Sequence, residues 1–215
     1  MIKGVIFDMD GVLVDNRDIH IEAFVIFCRR YGLDMNTDRL MPLFGMGNED
    51  IMTAIFGHPL PAEDVERYSQ EKEAIYREIF AERIEPVAGL VDLLAGLKER
   101  GVKIAVGSSG MRANVDFVLE KCGIREYFDA IADGDHVTRA KPDPEVFLLA
   151  ASMLGLSGGE CLVFEDSFAG IAAARAAGAR VIALATTFPR ERHYDYDMII
   201  DDFTQIDASV IDRFE

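Results

Sequence analysis

The sequence of 215 residues predicts an α/β fold, in which a doubly wound parallel sheet carries a small all-α domain inserted after its first strand. Three patterns support this prediction. Short, continuous apolar runs recur along the chain, helical patterns that end at a glycine lie between them, and one long segment contains helical patterns only. Apolar strands that alternate with helices are typical of a parallel sheet covered on both faces.

Four short apolar runs rich in β-branched residues are predicted to be buried strands. They are Ile2–Phe7, Val102–Val106, Cys161–Phe164 and Val181–Leu184. Four helical patterns lie between or after these runs, and a glycine directly follows each of them, as expected for a left-handed helix C-terminus. These helices are Val91–Arg100, Ala113–Cys122, Pro144–Leu154 and Ala169–Ala177.

The segment 16–83 contains no strand-like run. Helical patterns cover Ile19–Tyr31, Asn48–Phe56 and Pro61–Ala81. A helical segment of this size predicts a separate small domain. We therefore expect residues 1–15 and 84–215 to form an α/β catalytic core and residues 16–83 to form a helical cap over the strand ends.

Charge and composition exclude several classes of protein. The net charge of −16 disfavours binding to nucleic acid or to an anionic membrane, and a hydrophobic fraction of 50% excludes a disordered chain. No apolar run approaches the ~18 residues of a membrane span, and the N-terminal run is too short for a signal peptide. Cys28, Cys122 and Cys161 form neither a disulfide pattern nor a zinc motif, so we expect a cytoplasmic protein. Most acidic residues are interpreted as solvated surface, notably in Glu63–Glu82 and Asp195–Glu215.

Polar residues come directly after the predicted strands, where ligands bind in open α/β sheets. Each one alone has an ordinary explanation, as a solvated turn, a loop, a surface lysine or a helix cap. Together they would place several carboxylates, a hydroxyl and a lysine in one crevice. Carboxylates packed this closely repel one another unless a cation lies among them, and an oxygen-rich site of this kind suits Mg²⁺. The residues are Asp8, Asp10, Ser108, Lys141, Glu165 and Asp166.

Such a crevice is suited to phosphoryl transfer. Asp8 can attack phosphorus and form an aspartyl phosphate, while Asp10 protonates the leaving oxygen and then deprotonates water. Ser108 and Lys141 can bind the phosphate oxygens, and Mg²⁺ can neutralise their charge.

Four segments resemble the motifs of the haloacid-dehalogenase superfamily of phosphohydrolases, in the same order and over essentially the whole chain. They are FDMDGVLVD, VGSSG, AKPDPEVF and FEDSFAGIAAARAAG. The helical segment after the first motif resembles the cap of the subgroup that includes β-phosphoglucomutase and many sugar-phosphate phosphatases. The resemblance thus implies a Rossmann-like core with a helical cap.

The resemblance also implies roles for the core residues. Asp8 would be the nucleophile, Asp10 the general acid and base, and Ser108 and Lys141 phosphate ligands. Mg²⁺ would be held by Asp8, the backbone carbonyl of Asp10, and Asp166 with Glu165. The dehalogenase branch lacks the second aspartate of the first motif, so Asp10 favours phosphoester chemistry.

Candidate specificity residues lie mostly in the helical segment. His20 and Lys72 match a histidine and a lysine in the cap of β-phosphoglucomutases, although a partly buried histidine and a lysine on a solvated helix face are the ordinary alternatives. Asn16 and Ser109 complete the expected substrate contacts outside the cap loop. In that loop, LFGMGNED, Phe44 and Asn48 occupy positions where mutases place a lysine and an arginine.

Without those cations, a second phosphate would lose its charge-assisted contacts. The sequence therefore favours a phosphatase that acts on a small phosphate monoester, such as a phosphorylated sugar or polyol, over a mutase. A receiver-like signalling module remains a third hypothesis, although such modules are shorter and lack a helical insertion of this size. We expect a monomer with a small-molecule phosphate ester as its ligand, bound to neither nucleic acid nor membrane.

Overall fold

The computed structural model of the protein describes residues 1–40, 43, 48–192 and 195–214. The chain divides into two compact units. The first comprises Met1–Asp15 and Ile84–Glu215, and the second comprises Asn16–Arg83. That the first unit is catalytic and that the second serves as a cap remain predictions.

The first unit contains a six-stranded sheet in the order β3-β2-β1-β4-β5-β6, with all neighbouring strands parallel. This confirms the predicted doubly wound sheet. Because β1 lies between β2 and β4, the strand order reverses beside it, and ligands bind at such a reversal in this class of fold. The strands are β1 (Gly4–Phe7), β2 (Lys103–Gly107), β3 (Ala130–Ala132), β4 (Cys161–Glu165), β5 (Arg180–Leu184) and β6 (Met198–Ile200).

Four helices of the first unit lie within about one residue of their predicted positions. The glycines after them, at 101, 123, 155 and 178, all have positive φ, as the sequence predicts. Apolar side chains fill both sides of the sheet; on one side the Phe7 and Phe164 rings stack with their centroids 4.9 Å apart. The helices are α5 (Leu90–Glu99), α6 (Arg112–Lys121), α7 (Glu145–Met153) and α8 (Phe168–Ala176).

Most described acidic residues of Asp195–Glu215 are exposed, as the sequence predicts, but this segment is not surface throughout. It contributes β6 to the sheet, and Phe203 and Val210 are buried. One of its acids has a structural role, because Asp197 accepts hydrogen bonds from the Arg175 guanidinium at 2.7 Å and the Val181 amide at 2.8 Å. A three-residue strand among acidic residues has too few apolar positions to be recognised from its sequence.

The described residues of the second unit form helices joined by loops, with no strand. Its core contains Phe27, Met52, Ile75 and Tyr76, all of them buried. The structure adds one short helix, of four residues, to the three that the sequence predicts. The helices are α1 (Arg17–Arg30), α2 (Thr37–Leu40), α3 (Asn48–Phe56) and α4 (Ala62–Phe80). Across the described part of both units, no helix has the length and hydropathy needed to cross a membrane.

Candidate active site

The loop after β1 begins the site. Asp8 is buried, and its backbone N–H donates to the carbonyl of Phe164 at 3.0 Å, which ties the loop to β4. The turn directly after the half-buried Asp10 requires glycine: Gly11 has a φ of 78°, and a Cβ there would lie 2.1 Å from the Asp166 carboxylate. Gly11 therefore lets the first loop approach the acids at the end of β4.

Lys141 joins the ends of these two strands. Its ammonium donates to Asp8 Oδ1 at 2.6 Å and to Glu165 Oε1 at 2.8 Å. All three side chains are less than a tenth exposed, and the Lys141 Nζ also lies 4.5 Å from the centre of the Phe147 ring. Burial by itself lowers the pKa of Lys141, but the charges of Asp8 and Glu165 outweigh it and raise that pKa above its ordinary value, so the lysine stays protonated.

Glu165 uses its second oxygen to hold the start of the next helix. Oε2 accepts hydrogen bonds from the backbone N–H of Asp166 at 2.8 Å and of Ser167 at 2.7 Å, and from the Ser167 hydroxyl at 3.0 Å. A Cβ on Gly170 would lie 1.6 Å from Glu165 Oε1, so only glycine leaves room for this carboxylate. With Oε2 fully engaged, Glu165 can offer a cation only Oε1, which it shares with Lys141.

Asp8, Glu165 and Asp166 form a group whose potential ligand oxygens all lie within 4.8 Å of one another. Burial raises the pKa of Asp8 from 3.8 to about 7, against the effect of Lys141 and together with the charges of Glu165 and Asp10. Burial, and then the charges of Glu165 and Asp8, raise the pKa of Asp166 well above its ordinary value. Buried carboxylates that repel one another in this way fit a hard divalent cation with oxygen ligands.

The loop after β2 adds the hydroxyl. Ser108 is buried and its Oγ accepts from the backbone N–H of Gly110 at 2.9 Å. A Cβ at Gly110 would lie 3.2 Å from this Oγ and 3.8 Å from Asp10 Oδ2, which places the Asp10 carboxylate beside the same loop. Ser109 is exposed. The structure thus brings the six predicted core residues to one edge of the sheet, while a substrate contact from Ser109 remains a prediction.

Asn16, His20 and Lys72 lie together within the second unit. Lys72 Nζ donates to His20 Nδ1 at 3.0 Å, and the Asn16 side-chain amide lies 2.7 Å from the Tyr76 hydroxyl and 3.5 Å from His20 Nε2. Since the ammonium has only donors, His20 Nδ1 is the acceptor in the contact with Lys72. The His20 ring also stacks on Tyr76, with 4.1 Å between centroids.

The structure excludes one interpretation of Lys72, that it lies on a solvated helix face. Such a position would leave its side chain exposed. The residue is 4% exposed, pairs with Glu73 at 2.5 Å and lies 4.4 Å from the Phe24 ring centre. Asn48 is exposed at the first residue of α3, and Phe44 lies outside the described residues. The contribution of all five cap residues to substrate binding remains a prediction.

Thr186 and Thr187 were not among the residues predicted from the sequence. Thr186 Oγ1 donates to the carbonyl of Gly11 at 2.5 Å, and the Thr187 hydroxyl hydrogen-bonds to the Asp166 carboxylate. The sequence contains a signal that could have identified both threonines, because they come almost directly after the predicted strand Val181–Leu184. The rule that found the other site residues, to examine the first polar side chains beyond each strand, applies equally there.

The chain is similar to known proteins over most of its length. The family model for haloacid dehalogenase-like hydrolases matches residues 5–184. The chain is 36% identical to fructose-1-phosphate phosphatase YqaB of Escherichia coli, over 81% of this chain and 92% of that protein. It is 32% identical to β-phosphoglucomutase of Bacillus subtilis, over 82% and 80% of the two chains.

Relatives differ in length, and the chain spans only 18% of one longer plant relative. Among solved structures, a family IA, variant 3 hydrolase from Entamoeba histolytica superposes with a TM-score of 0.92, at 27% identity and over 99% of both chains. The match of the family model, the relatives and the common fold together show that the chain belongs to the haloacid dehalogenase-like hydrolase family.

Proposed function

We propose that the protein is a Mg²⁺-dependent phosphatase that hydrolyses a small phosphate monoester, a phosphorylated sugar or polyol, through an aspartyl-phosphate intermediate. The observation that carries this proposal is the Lys141 bridge between Asp8 and Glu165 beside Asp166. It gives a buried carboxylate nucleophile, a fixed positive charge for phosphate oxygens and an acidic group suited to a divalent cation, all at the reversal of the strand order.

Asp8 carries out the first step by attacking phosphorus, so that a bond forms between its carboxylate oxygen and phosphorus as the ester P–O bond breaks. Asp10 donates a proton to the departing alkoxide. In the second step Asp10 takes a proton from water, the water oxygen bonds to phosphorus, and the bond to Asp8 breaks. Ser108 and Lys141 bind the other phosphate oxygens and stabilise the charge that develops on them.

Asp8, Asp166 and the backbone carbonyl of Asp10 would hold Mg²⁺, with Oε1 of Glu165 as the remaining candidate. When bound, the ion would neutralise charge on the phosphate oxygens and on the carboxylates. Because the protein carries a net charge of −16, attraction of an anionic ester depends on such local positive charge rather than on the overall field.

The substrate class rests on the relatives and on the second unit. Fructose-1-phosphate phosphatase is named for a sugar phosphate, and the Asn16–His20–Lys72 cluster offers the polar groups that hydroxyl-rich substrates require. A cytoplasmic location is supported by the three free cysteines, because free thiols are usual in reducing compartments. The monomeric state stays a prediction.

Phosphate release from a panel of phosphorylated sugars, polyols, nucleotides and pyrophosphate, with and without Mg²⁺, tests the proposal. We expect Mg²⁺-dependent release, fastest with a sugar or polyol monophosphate. If no member of the panel is hydrolysed, the proposal is wrong. Faster conversion of β-glucose 1-phosphate to glucose 6-phosphate than release of free phosphate would instead establish the mutase.

Mg²⁺ will raise the unfolding temperature of the protein more at about pH 8 than at about pH 6. The pKa of Asp8 in the folded, metal-free protein is about 7, above its ordinary 3.8, so folding without metal takes up protons. Metal-free stability therefore falls as pH rises through this window. The ligands must be ionised to hold the cation, so its binding releases protons and tightens over the same range.

Differential scanning fluorimetry at a fixed Mg²⁺ concentration measures this effect. The Asp166→Asn variant is the control, because it lacks one of the two carboxylates with a raised pKa and should show a much smaller Mg²⁺ shift at both pH values. A wild-type shift that is equal at the two pH values, or larger at about pH 6, would contradict the assignment of these carboxylates as ligands.

A further inference from the structure

The segment after β5 contacts the loop after β1 and the acid pair at the end of β4. Its base is fixed to the sheet, because the backbone N–H of Ala185 donates to the carbonyl of Ile200 at 2.9 Å. The next two residues, Thr186 and Thr187, are half-buried, and the Thr186 hydroxyl donates to the carbonyl of Gly11. Thr187 is therefore held on a short, anchored segment beside the candidate metal ligands.

The Thr187 hydroxyl and the Asp166 carboxylate border the same small space. A Cβ on Gly11 would lie 2.1 Å from Asp166 Oδ2 and 2.9 Å from Thr187 Oγ1, so both oxygens surround the position that Gly11 leaves free. The hydroxyl donates a hydrogen bond to the carboxylate. A metal ligand must be an ionised carboxylate, which has no proton to give, so the threonine is the donor when Asp166 binds a cation.

This hydrogen bond matters because of how the other charges are distributed. The two short ion pairs of Lys141 go to Asp8 and Glu165, not to Asp166, although all three carboxylates are within one group. Asp166 thus faces two neighbouring carboxylates while the lysine is engaged with both of them. A donor on one oxygen of Asp166 restrains its rotation and leaves the remaining lone pairs for a cation.

We propose that Thr187 is a positioning residue that orients the Asp166 carboxylate for Mg²⁺. The inference rests on the proposed Mg²⁺-dependent function, in that it assigns a partner to one of the proposed metal ligands. Partners that hydrogen-bond to metal ligands typically change metal affinity by about 10- to 100-fold when they are removed. Thr187 would act through Asp166 alone and is not expected to touch the phosphate ester.

The test is metal binding without substrate, measured by isothermal titration with Mg²⁺ and by electron paramagnetic resonance with Mn²⁺. Thr187→Val keeps the shape of the side chain and removes the hydroxyl, so we expect its Kd for both ions to rise about tenfold or more. Thr187→Ser retains the hydroxyl, and we expect it to bind within about threefold of wild type. With saturating Mg²⁺, Thr187→Val should recover most of the wild-type kcat.

Thr204→Val is the matched control. The Thr204 hydroxyl also donates to a carboxylate, that of Asp202, but on the exposed surface, so its loss should leave the Kd unchanged. If Thr187→Val is too unstable to titrate, Thr187→Ala removes the hydroxyl without adding an apolar branch and is measured instead. An equal Kd for wild type and whichever hydroxyl-free variant is titrated overturns the inference, as does a wild type that binds neither ion.

Failure of the proposed function gives a different result. A wild type that binds Mg²⁺ but hydrolyses no phosphate monoester refutes the phosphatase. In that case the Kd of the Thr187 variants still decides the inference.

Discussion

Asp8→Asn will abolish phosphate release, lowering the rate by at least about 10³-fold. An amide oxygen is a far poorer nucleophile toward phosphorus than a carboxylate, and the variant cannot form the aspartyl phosphate. The fold should persist, because the amide oxygen can still accept from Lys141 and because Glu165, 2.8 Å from the same ammonium, keeps the lysine paired. Steady-state phosphate release and acid trapping of radiolabelled phosphoenzyme measure the two consequences.

The stability of the Asp8→Asn variant distinguishes loss of the nucleophile from unfolding of the protein as the cause of lost activity. Burial raises the pKa of Asp8 to about 7, so at about pH 8 the ionised carboxylate opposes folding of the metal-free protein and the neutral amide does not. We expect an unfolding temperature no lower than that of wild type. Asp92→Asn, at an exposed position in the first turn of α5, is the control and should keep full activity. Substantial activity in a folded Asp8→Asn protein would exclude Asp8 as the nucleophile.

Lys141→Met will lower the free energy of unfolding by about 3–5 kcal/mol at about pH 8, the usual loss when one partner of a buried ion pair is removed. Without the ammonium, Asp8 and Glu165 face each other across a buried space with no compensating charge. Phosphate release should also fall by at least about 10²-fold, because the fixed charge for the phosphate oxygens is lost. Urea denaturation and steady-state kinetics measure the two effects.

The loss in free energy of unfolding that Lys141→Met causes, its deficit, is expected to grow with pH. Removing the lysine raises the folded-state pKa of Asp8 further, so the folded variant binds protons that the unfolded chain does not, and its deficit grows as pH rises above the ordinary carboxyl range. The loss should therefore be smaller at about pH 5 than at about pH 8, and Mg²⁺ should restore part of it.

Lys98→Met is the matched control for Lys141→Met. Lys98 and Asp129 make an ion pair of the same length, 2.6 Å, but their side chains are 34% and 40% exposed. Exposed ion pairs contribute little to stability, so we expect the free energy of unfolding to change by less than about 1 kcal/mol. Equal losses of unfolding free energy in the two variants would show that the contribution of the Lys141 bridge to stability does not depend on its burial.

The architecture could be predicted wherever a strand or helix carried its own local signal. The runs that became β1, β2, β4 and β5 are apolar on both faces, which is the mark of a central parallel strand. The edge strands were harder: β3 and β6 have three residues each, and neither was among the four predicted strands. Edge strands are buried less completely, so their sequences are less constrained to be apolar.

The candidate site was predictable to the same degree, and for a related reason. Chemistry-bearing residues at strand ends can be read from the sequence because parallel strands bring their carboxyl ends to one edge of the sheet, and Asp8, Ser108 and Asp166 obey this rule. This rule does not predict how exposed a side chain is or which residue it forms an ion pair with. Nothing in the charged pattern of α4 distinguishes the buried Lys72 from its solvated neighbours, since burial depends on packing against α1.

The sequence by itself determined the class of fold, the order of its motifs and the residue types available for phosphoryl transfer, because all three depend on local pattern and spacing. Only the tertiary structure decided which charged and polar groups contact one another. It placed Lys141 between Asp8 and Glu165, committed one oxygen of Glu165 to the turn after β4, and brought Thr187 to Asp166 across the space left by Gly11. The ion pairs of Lys141 and the contact of Thr187 with Asp166 join residues far apart in the chain, and their distances arise from packing that no local pattern records.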